Sequence, residues 1–245
     1  MIQRFKGKVG VVTGGATGIG LAAAKALVQE GAYVFITGRR QELLDQAVNE
    51  IQTNITAVKA DSGKKEDIKK LFNIVKQEKG CIDILLCNAG TGGFGYPIGD
   101  ITEQHYNTVF DTNIKGSILT VQGALPLMNE GSSIVLTGSI SSVKTYETMS
   151  VYCASKAALS TLARTWALEL KTRKIRVNVV SPGPTETAML TDLSHDLQAS
   201  IVNGIPLGRA GNTEDITNAI LFMCSAEASF ITGTELFVDG GAVLV

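Results

Sequence analysis

The segment SVYCASKAAL places Tyr152 and Lys156 four residues apart in an alanine-rich stretch that favours a helix. Residues i and i+4 lie one above the other on a helix, so the lysine ammonium can lie close to the tyrosine hydroxyl. A nearby cation favours the phenolate and lowers a tyrosine pKa from its usual value of about 10 towards neutrality. The pair could therefore act as a proton donor. Taken alone, the spacing fits two ordinary surface residues of an amphipathic helix equally well.

Short apolar runs alternate with helical segments along the whole chain. The runs are VGVVTG, AYVFIT, ITAVKA, IDILLCN, SIVLTGS, IRVNVVSPG and ELFVDGG. Between the first two, apolar residues recur with the period of one buried helix face, and Gly31 ends that helix. Strands joined by helices predict a parallel sheet with helices on both faces. We therefore predict a single α/β domain over residues 1–245, a doubly wound fold with about seven strands.

The ligand crevice of such a sheet lies beyond the carboxyl ends of its strands. There the sequence has the loops TGGATGIG, TGRR, CNAGTGGFG, TGSIS and SPGPTET, together with Asp61 after the third strand. The longest interruption of the strand and helix pattern is 185–206, which we predict to be a helical lid over a substrate. The sequence thus predicts that one edge of the sheet carries the functional site.

The loop TGGATGIG is typical of a dinucleotide site of the Rossmann type. Glycines allow a tight turn and close backbone approach, while the N-terminus of the following helix attracts a pyrophosphate. Its spacing differs from the common GxGxxG pattern. The second strand ends at Arg39 and Arg40, where NAD sites usually carry a carboxylate for the ribose 2′-hydroxyl. Because guanidinium groups pair with phosphate, we predict NADP(H).

Composition excludes several other classes of protein. The chain has 245 residues, of which 44% are hydrophobic and 18% charged, and a formal net charge of -1. This charge gives no basic field for nucleic acid, and no apolar run is long enough for a bilayer. Four cysteines without CxxC spacing and only two histidines predict neither a disulfide scaffold nor a metal site. We expect a reduced, cytoplasmic protein with no membrane or nucleic-acid partner.

Several motifs in order resemble those of the short-chain dehydrogenase/reductase family over nearly the whole chain. TGGATGIG is similar to the family's cofactor loop, CNAG to its NNAG element, Ser139 to its catalytic serine and YCASK to its YxxxK motif. Two features depart from the family pattern. Cys87 replaces the first Asn of NNAG, and we expect this position to tolerate Cys87 as a small buried side chain. The glycine loop lacks the basic residue of some NADP-preferring relatives, so a 2′-phosphate would rest on the two arginines.

The resemblance implies particular residues and an activity. The implied catalytic residues are Asn113, Ser139, Tyr152 and Lys156. We expect Asp61 to face the adenine. Together with Asp61 and the two arginines, the predicted cofactor-binding residues are Gly14, Thr17, Gly18, Ile19, Gly20, Arg39, Arg40, Asp61, Asn88, Ala89, Gly90, Tyr152, Lys156, Pro182, Gly183, Thr185 and Thr187. The implied enzyme is an NADPH-dependent carbonyl reductase that transfers hydride reversibly between NADP(H) and a ketone or secondary alcohol. The family also implies a homotetramer.

Each catalytic residue would have a distinct role. Hydride transfer to a ketone leaves negative charge on oxygen, which needs a hydrogen-bond donor and a proton. Tyr152 would supply the proton, and Ser139 a second hydrogen bond, although physics alone does not choose it over Ser141 or Ser142. The resemblance implies that Lys156 also holds the nicotinamide ribose and that Asn113 helps to hold a water relay behind it.

The substrate and some alternatives stay open at this point. Aromatic and apolar residues in the pocket loops suggest that the site accepts aromatic or alkyl ketones: Phe94, Tyr96, Tyr146, Met149 and Met189. The main rival enzyme is a reductase of 3-ketoacyl thioesters. A rival of another class is a protein that senses the dinucleotide without catalysis. Intact Ser139, Tyr152 and Lys156 argue against the sensor, since sensing needs no proton donor.

Overall fold

A computed structural model describes residues 3–243 of the chain and shows a regular alternation of strands and helices. The elements of the first half are β1 (Val9–Thr13), α1 (Gly18–Gln29), β2 (Tyr33–Gly38), α2 (Gln41–Ile51), β3 (Ile55–Lys59), α3 (Lys65–Glu78), β4 (Ile82–Cys87), α4 (Glu103–Phe110) and α5 (Gly116–Ala124). The second half contains β5 (Met128–Thr137), α6 (Ser150–Glu169), β6 (Arg176–Pro182), α7 (Ala188–Thr191), α8 (His195–Asn203), α9 (Thr213–Cys224) and β7 (Glu235–Val238).

The strands form one sheet in which all pairs are parallel, in the order β3-β2-β1-β4-β5-β6-β7. This confirms the predicted doubly wound fold and its seven strands. The chain moves outwards from β1 to β3, returns to pair β4 with β1, and then moves outwards in the other direction. A crevice for a ligand forms where the direction reverses, outside the carboxyl ends of β1 and β4.

Two apolar layers hold the helices against the sheet. On one face, Leu71 and Val75 of α3 and Leu159 of α6 pack with strand residues such as Leu85. On the other face, Leu27 of α1 and Ile216 of α9 pack with another set of strand residues. The central strand β4 is buried on both faces, which explains its nearly continuous apolar sequence. The sheet therefore gives a rigid base to the loops at its edge.

The chain between β4 and β5 contains a feature that the sequence pattern did not indicate. Residues Asp111–Lys115 form one turn of π-helix between α4 and α5. A π turn adds a residue to the helical turn and changes the direction of the side chains that follow. This turn contains Asn113, whose side chain is buried.

The predicted lid, residues 185–206, contains the short helices α7 and α8. Its helical character agrees with the sequence analysis, whereas its action as a lid stays a prediction. No helix among residues 3–243 is both long and apolar enough to cross a membrane. The last residues of the apolar ending AVLV, Leu244 and Val245, lie outside the described residues.

Candidate active site

Asn88 ties together the strand ends at the point where the strand order reverses. Its side-chain amide donates to the carbonyl oxygens of Thr13 and Gly14, at 3.2 and 3.1 Å. Its side-chain oxygen accepts a hydrogen bond from the Thr137 hydroxyl at 3.2 Å. In addition, the Thr13 hydroxyl accepts from the backbone N–H groups of Asn88 and Ala89. Asn88 therefore fixes the carboxyl ends of β1, β4 and β5 relative to one another. A ligand bound at these strand ends would depend on this arrangement.

The glycine loop needs its glycines for two different reasons. Gly14 and Gly18 have positive φ angles of 64° and 54°, which other residues rarely adopt. A Cβ on Gly20 would lie 2.3 Å from the Gly14 carbonyl oxygen and 2.5 Å from the Asn88 amide nitrogen. Thr17 precedes α1 but makes no side-chain hydrogen bond to it. The N–H groups of the first turn of α1 are therefore not capped by a side chain, which suits a pyrophosphate.

A smaller cavity of about 240 Å³ lies beside the glycine loop and the ends of β2 and β3. It is lined by Gly14, Ala16, Thr17, Thr37, Gly38, Arg39, Arg40, Leu43, Ala60, Asp61, Ser62, Asn88, Ala89, Gly90 and Thr112. Both arginines are exposed, and the hydroxyl of Thr37 is buried without a hydrogen-bond partner among the described residues. One oxygen of Asp61 accepts from the Gly63 N–H at 3.0 Å. Polar walls with two guanidinium groups suit the phosphate-bearing half of a dinucleotide.

A larger cavity of about 590 Å³ meets the smaller one at Asn88 and Gly90. Its lining includes Gly18 and Ile19 of the glycine loop, the residues Ser139, Tyr152 and Lys156, and a predominantly apolar remainder. Two adjoining cavities on either side of one glycine-rich turn match the two nucleotides of a dinucleotide. The residues present therefore fit a nicotinamide dinucleotide.

The phenol of Tyr152 lies in the larger cavity and is largely buried. Burial raises the pKa of Tyr152, and the nearby Ser139 side chain counteracts part of this effect. The direction is opposite to the one expected from the spacing of Tyr152 and Lys156. The reason is physical: the Lys156 ammonium lies 5.7 Å from the centre of the Tyr152 ring, and loss of water around the phenol dominates.

The Lys156 ammonium is also buried and donates a hydrogen bond to the carbonyl oxygen of Thr137 at 2.9 Å. Burial lowers the pKa of Lys156 to about 8. A Cβ on Gly90 would lie 3.6 Å from the ammonium nitrogen, so Gly90 lies directly beside the charge. This ammonium can therefore lose its proton in a range of pH that is accessible to experiment.

Asn113 lines neither cavity, although the resemblance implied a catalytic role for it. Its side-chain oxygen accepts from the Thr91 N–H at 2.8 Å, and its amide donates to the Thr91 carbonyl and the Ser155 hydroxyl, at 3.1 and 3.0 Å. Ser155 in turn donates to the Tyr152 carbonyl oxygen at 2.7 Å. Asn113 therefore connects the loop after β4 with the first turn of α6. Both of its amide hydrogens are used in these contacts.

The segment after β6 faces the glycine loop. Pro182, Gly183, Thr185 and Thr187 all line the larger cavity, and a Cβ on Gly18 would lie 3.6 Å from the Thr187 side chain. The Thr185 hydroxyl donates to the Gly183 carbonyl at 2.9 Å. Of the predicted cofactor-binding residues, Gly20 lines neither cavity and instead packs behind the loop.

Aromatic residues form the outer part of the larger cavity. Phe94 packs edge-on against Tyr152 with their ring centres 5.4 Å apart, and Tyr146 and Met149 line the same cavity. Met189 of α7 lines it as well, whereas Tyr96 stacks on His105 at 3.9 Å and does not. Four of the five expected wall residues therefore line the cavity, and Tyr96 does not.

A strained turn lies at the same cavity and was not visible in the sequence. Thr148 has a φ of 61°, an unusual value for a β-branched residue. Its carbonyl oxygen accepts a hydrogen bond from the Tyr96 N–H at 3.1 Å. This contact connects the glycine-rich loop after β4 to the chain just before α6, so the two loops that bear the aromatic wall are joined. Glu147, next to this turn, also lines the cavity, and no motif singled it out.

Among residues 3–243, no group of three histidine, cysteine, aspartate or glutamate side chains is placed to hold a metal ion. All four cysteines are free. The side chains that line the larger cavity bring together a phenol, a hydroxyl and an ammonium, next to a second cavity suited to a nucleotide.

Comparison with known proteins gives a consistent picture. The family model described as enoyl-(acyl carrier protein) reductase matches residues 14–243. The chain is 46% identical to the oxidoreductase asL5 of Sarocladium schorii over 98% of this chain and 97% of that protein. It is 37% identical to the 3alpha-hydroxysteroid dehydrogenase of Mediterraneibacter gnavus over 99% of both chains.

Two solved structures extend the likeness to three dimensions. A mutant of the short-chain dehydrogenase/reductase of Serratia marcescens superposes with a TM-score of 0.93 at 30% identity, over 98% of this chain and 99% of that one. A blue fluorescent protein from a metagenomic library, solved in complex with NADPH, gives a TM-score of 0.92 at 30% identity over the same shares. With its parallel sheet, glycine loop and Ser139, Tyr152 and Lys156 in one cavity, the chain belongs to the short-chain dehydrogenase/reductase family of nicotinamide-dependent oxidoreductases.

Proposed function

We propose that the protein is an NADPH-dependent carbonyl reductase that interconverts ketones and secondary alcohols. The observation that carries the proposal is the common location of Ser139, Tyr152 and Lys156 in one apolar cavity that adjoins the cavity of Arg39 and Arg40. A dinucleotide sensor needs no proton donor in this position. The proposal therefore concerns catalysis and not binding alone.

Within this proposal, each site residue has a separate role. A bound nicotinamide supplies the hydride. The Ser139 hydroxyl and the Tyr152 phenol donate hydrogen bonds to the carbonyl oxygen of the substrate, and the phenol gives it a proton as negative charge develops. Lys156, which lines the same cavity, would hold the nicotinamide ribose. Asn113 keeps α6 and the loop after β4 in register through Ser155 and Thr91.

The cofactor preference rests on charge at the smaller cavity. Arg39 and Arg40 line it, and neither forms an ion pair among the described residues. Two unpaired guanidinium groups favour a ribose 2′-phosphate over a hydroxyl. The relative that was solved in complex with NADPH supports the same preference.

The lining of the larger cavity supports an apolar ketone as substrate. Phe94, Tyr146, Met149 and Met189 contribute to its wall, and the segment 185–206 covers one side through α7 and α8. The dehydrogenase of M. gnavus, named for a hydroxysteroid, supports a bulky alicyclic ketone. A 3-ketoacyl thioester is the alternative substrate.

The first test is NADPH oxidation by the purified protein with aryl ketones, alicyclic ketones, keto esters and 3-ketoacyl thioesters. We expect turnover with the ketones, and a loss on the order of 10²- to 10⁴-fold in kcat for Tyr152→Phe, because this change removes only the proton donor. NADPH binding, measured by fluorescence, should be retained. Tyr106→Phe removes an exposed phenol on α4 and should leave kcat unchanged. NADPH binding without turnover on any substrate would favour the sensor.

Cofactor preference is tested by changing both Arg39 and Arg40 to Ala. Loss of charge-assisted hydrogen bonds should raise the KM for NADPH on the order of 10- to 100-fold and leave the KM for NADH nearly unchanged. As a control, Lys69→Ala with Lys70→Ala removes two charges from exposed positions of α3. Equal effects on both cofactors in the arginine variant would contradict the role of the 2′-phosphate.

The pH dependence follows from Lys156, whose pKa is about 8 in the free protein. Below this pH the ammonium is charged, and above it the charge is lost. Since kcat/KM for NADPH reports ionisations of the free enzyme, it should decline above pH 8 by about tenfold per unit. Burial raises the pKa of Tyr152 above its usual value, so a decline that begins only above pH 10 would point to the tyrosine instead.

We further propose that the protein is a homotetramer. Exposed apolar side chains support this, notably Leu168 of α6, which is 72% exposed. Phe230, just before the C-terminal strand, is fully exposed. Sedimentation equilibrium should give four times the chain mass of 25.9 kDa. A mass of one chain at micromolar concentration would contradict the proposal.

A further inference from the structure

Glu235 lies in β7, at the edge of the sheet, and lines neither cavity. Its carboxylate accepts hydrogen bonds from three serine hydroxyls. One oxygen accepts from Ser142 at 2.5 Å and from Ser181 at 2.6 Å, and the other accepts from Ser160 at 2.6 Å. These distances are typical of charge-assisted O–H···O⁻ bonds. One carboxylate therefore joins three hydroxyls that are far apart in sequence.

Each serine lies next to a group of the proposed active site. Ser142 ends the short 3₁₀ turn Ile140–Ser142, which Ser139 caps. Ser160 follows Lys156 by one turn of α6, on the same side of the helix as Tyr152 and Lys156. Ser142 and Ser160 thus belong to the elements that carry the Ser139 hydroxyl, the Tyr152 phenol and the Lys156 ammonium.

The third serine connects the cluster to Pro182 and Gly183, which line the larger cavity. Ser181 directly precedes Pro182 in β6. A Cβ on Gly138 would lie 2.2 Å from the Ser181 hydroxyl oxygen, so the chain that leads into Ser139 packs directly on the cluster. The Ser181 hydroxyl therefore packs closely against the backbone that leads into Ser139.

We propose that Glu235 is a positioning residue: through Ser142, Ser160 and Ser181 it sets the distance between Ser139 and the pair Tyr152 and Lys156. This inference rests on the proposed function. A carboxylate suits the role because it accepts hydrogen bonds at both oxygens. A glutamine of the same shape accepts at one end and donates at the other, so it cannot receive all three hydroxyls in their present orientation.

The test compares Glu235→Gln with the unchanged protein in ketone reduction. We expect kcat to fall on the order of 10- to 100-fold, since small displacements of reacting groups have effects of this size. The Kd for NADPH, measured by fluorescence titration, should change less than about twofold, because the glycine loop and the two arginines follow β1 and β2, on the other side of β4 from β7. A fall in kcat without a change in cofactor binding is the signature of positioning.

The matched control is Ser133→Ala. Ser133 is a buried serine of β5 whose hydroxyl donates to the Met223 carbonyl at 3.0 Å, near the amino end of the strands. This change should lower the unfolding midpoint and leave kcat unchanged. A second arm combines Ser160→Ala with Glu235→Gln. If the two residues act through one another, the double variant should be no slower than Glu235→Gln alone.

The outcomes separate this inference from the proposed function. Absence of turnover in the unchanged protein overturns both. If the unchanged protein turns over ketones and Glu235→Gln has the same kcat, the positioning role alone is overturned. The same holds if the kcat of Glu235→Gln becomes normal once activity is divided by the folded fraction of the variant. If Glu235→Gln does not fold, Ser142→Ala and Ser160→Ala keep the carboxylate and each remove one donor. Both should lower kcat with NADPH binding retained, and full kcat in both overturns the inference.

Discussion

The hydrogen bonds of Asn88 are the constraint on which the whole site depends. β1 and β4 are paired up to their last residues, and the crevice of a doubly wound sheet lies outside these ends because the chain leaves them towards opposite edges. The loops beyond the last pair of the ladder therefore need other contacts to fix them. The Asn88 side chain bridges this point by donating to Thr13 and Gly14 and accepting from Thr137. The Thr137 carbonyl then accepts from Lys156. The glycine loop and the ammonium thus share one network of hydrogen bonds.

A second level of organisation fixes α6, the helix that carries Tyr152 and Lys156. Asn113 reaches its first turn from the π-helical turn through Ser155, and Glu235 reaches its third turn through Ser160. Polar contacts of this kind have directional geometry, which apolar packing lacks. The apolar layers hold the helix on the sheet, whereas these buried polar contacts specify where along the sheet its phenol lies.

The sequence predicted those parts of the molecule that depend on local pattern. Strands and helices follow from the periodicity of apolar residues, and the position of the site follows from the rule for parallel sheets. Arg39, Arg40 and Asp61 could be assigned to one cavity because each follows a strand. The contacts of Glu235 could not be predicted, since they join residues up to 93 positions apart. The π-helical turn and the positive φ of Thr148 depend on tertiary packing, and the direction of the Tyr152 pKa depends on burial, which spacing does not reveal.

The burial of Tyr152 gives the site an intrinsic direction. A phenol with a raised pKa carries its proton at neutral pH, so the free protein already holds the acid that a carbonyl oxygen needs. In the proposed reaction, alcohol oxidation through the same group would need the phenolate, the form that burial disfavours. Low solvent access at Tyr152 therefore favours the protonated phenol, which is the form that donates a proton to a carbonyl oxygen.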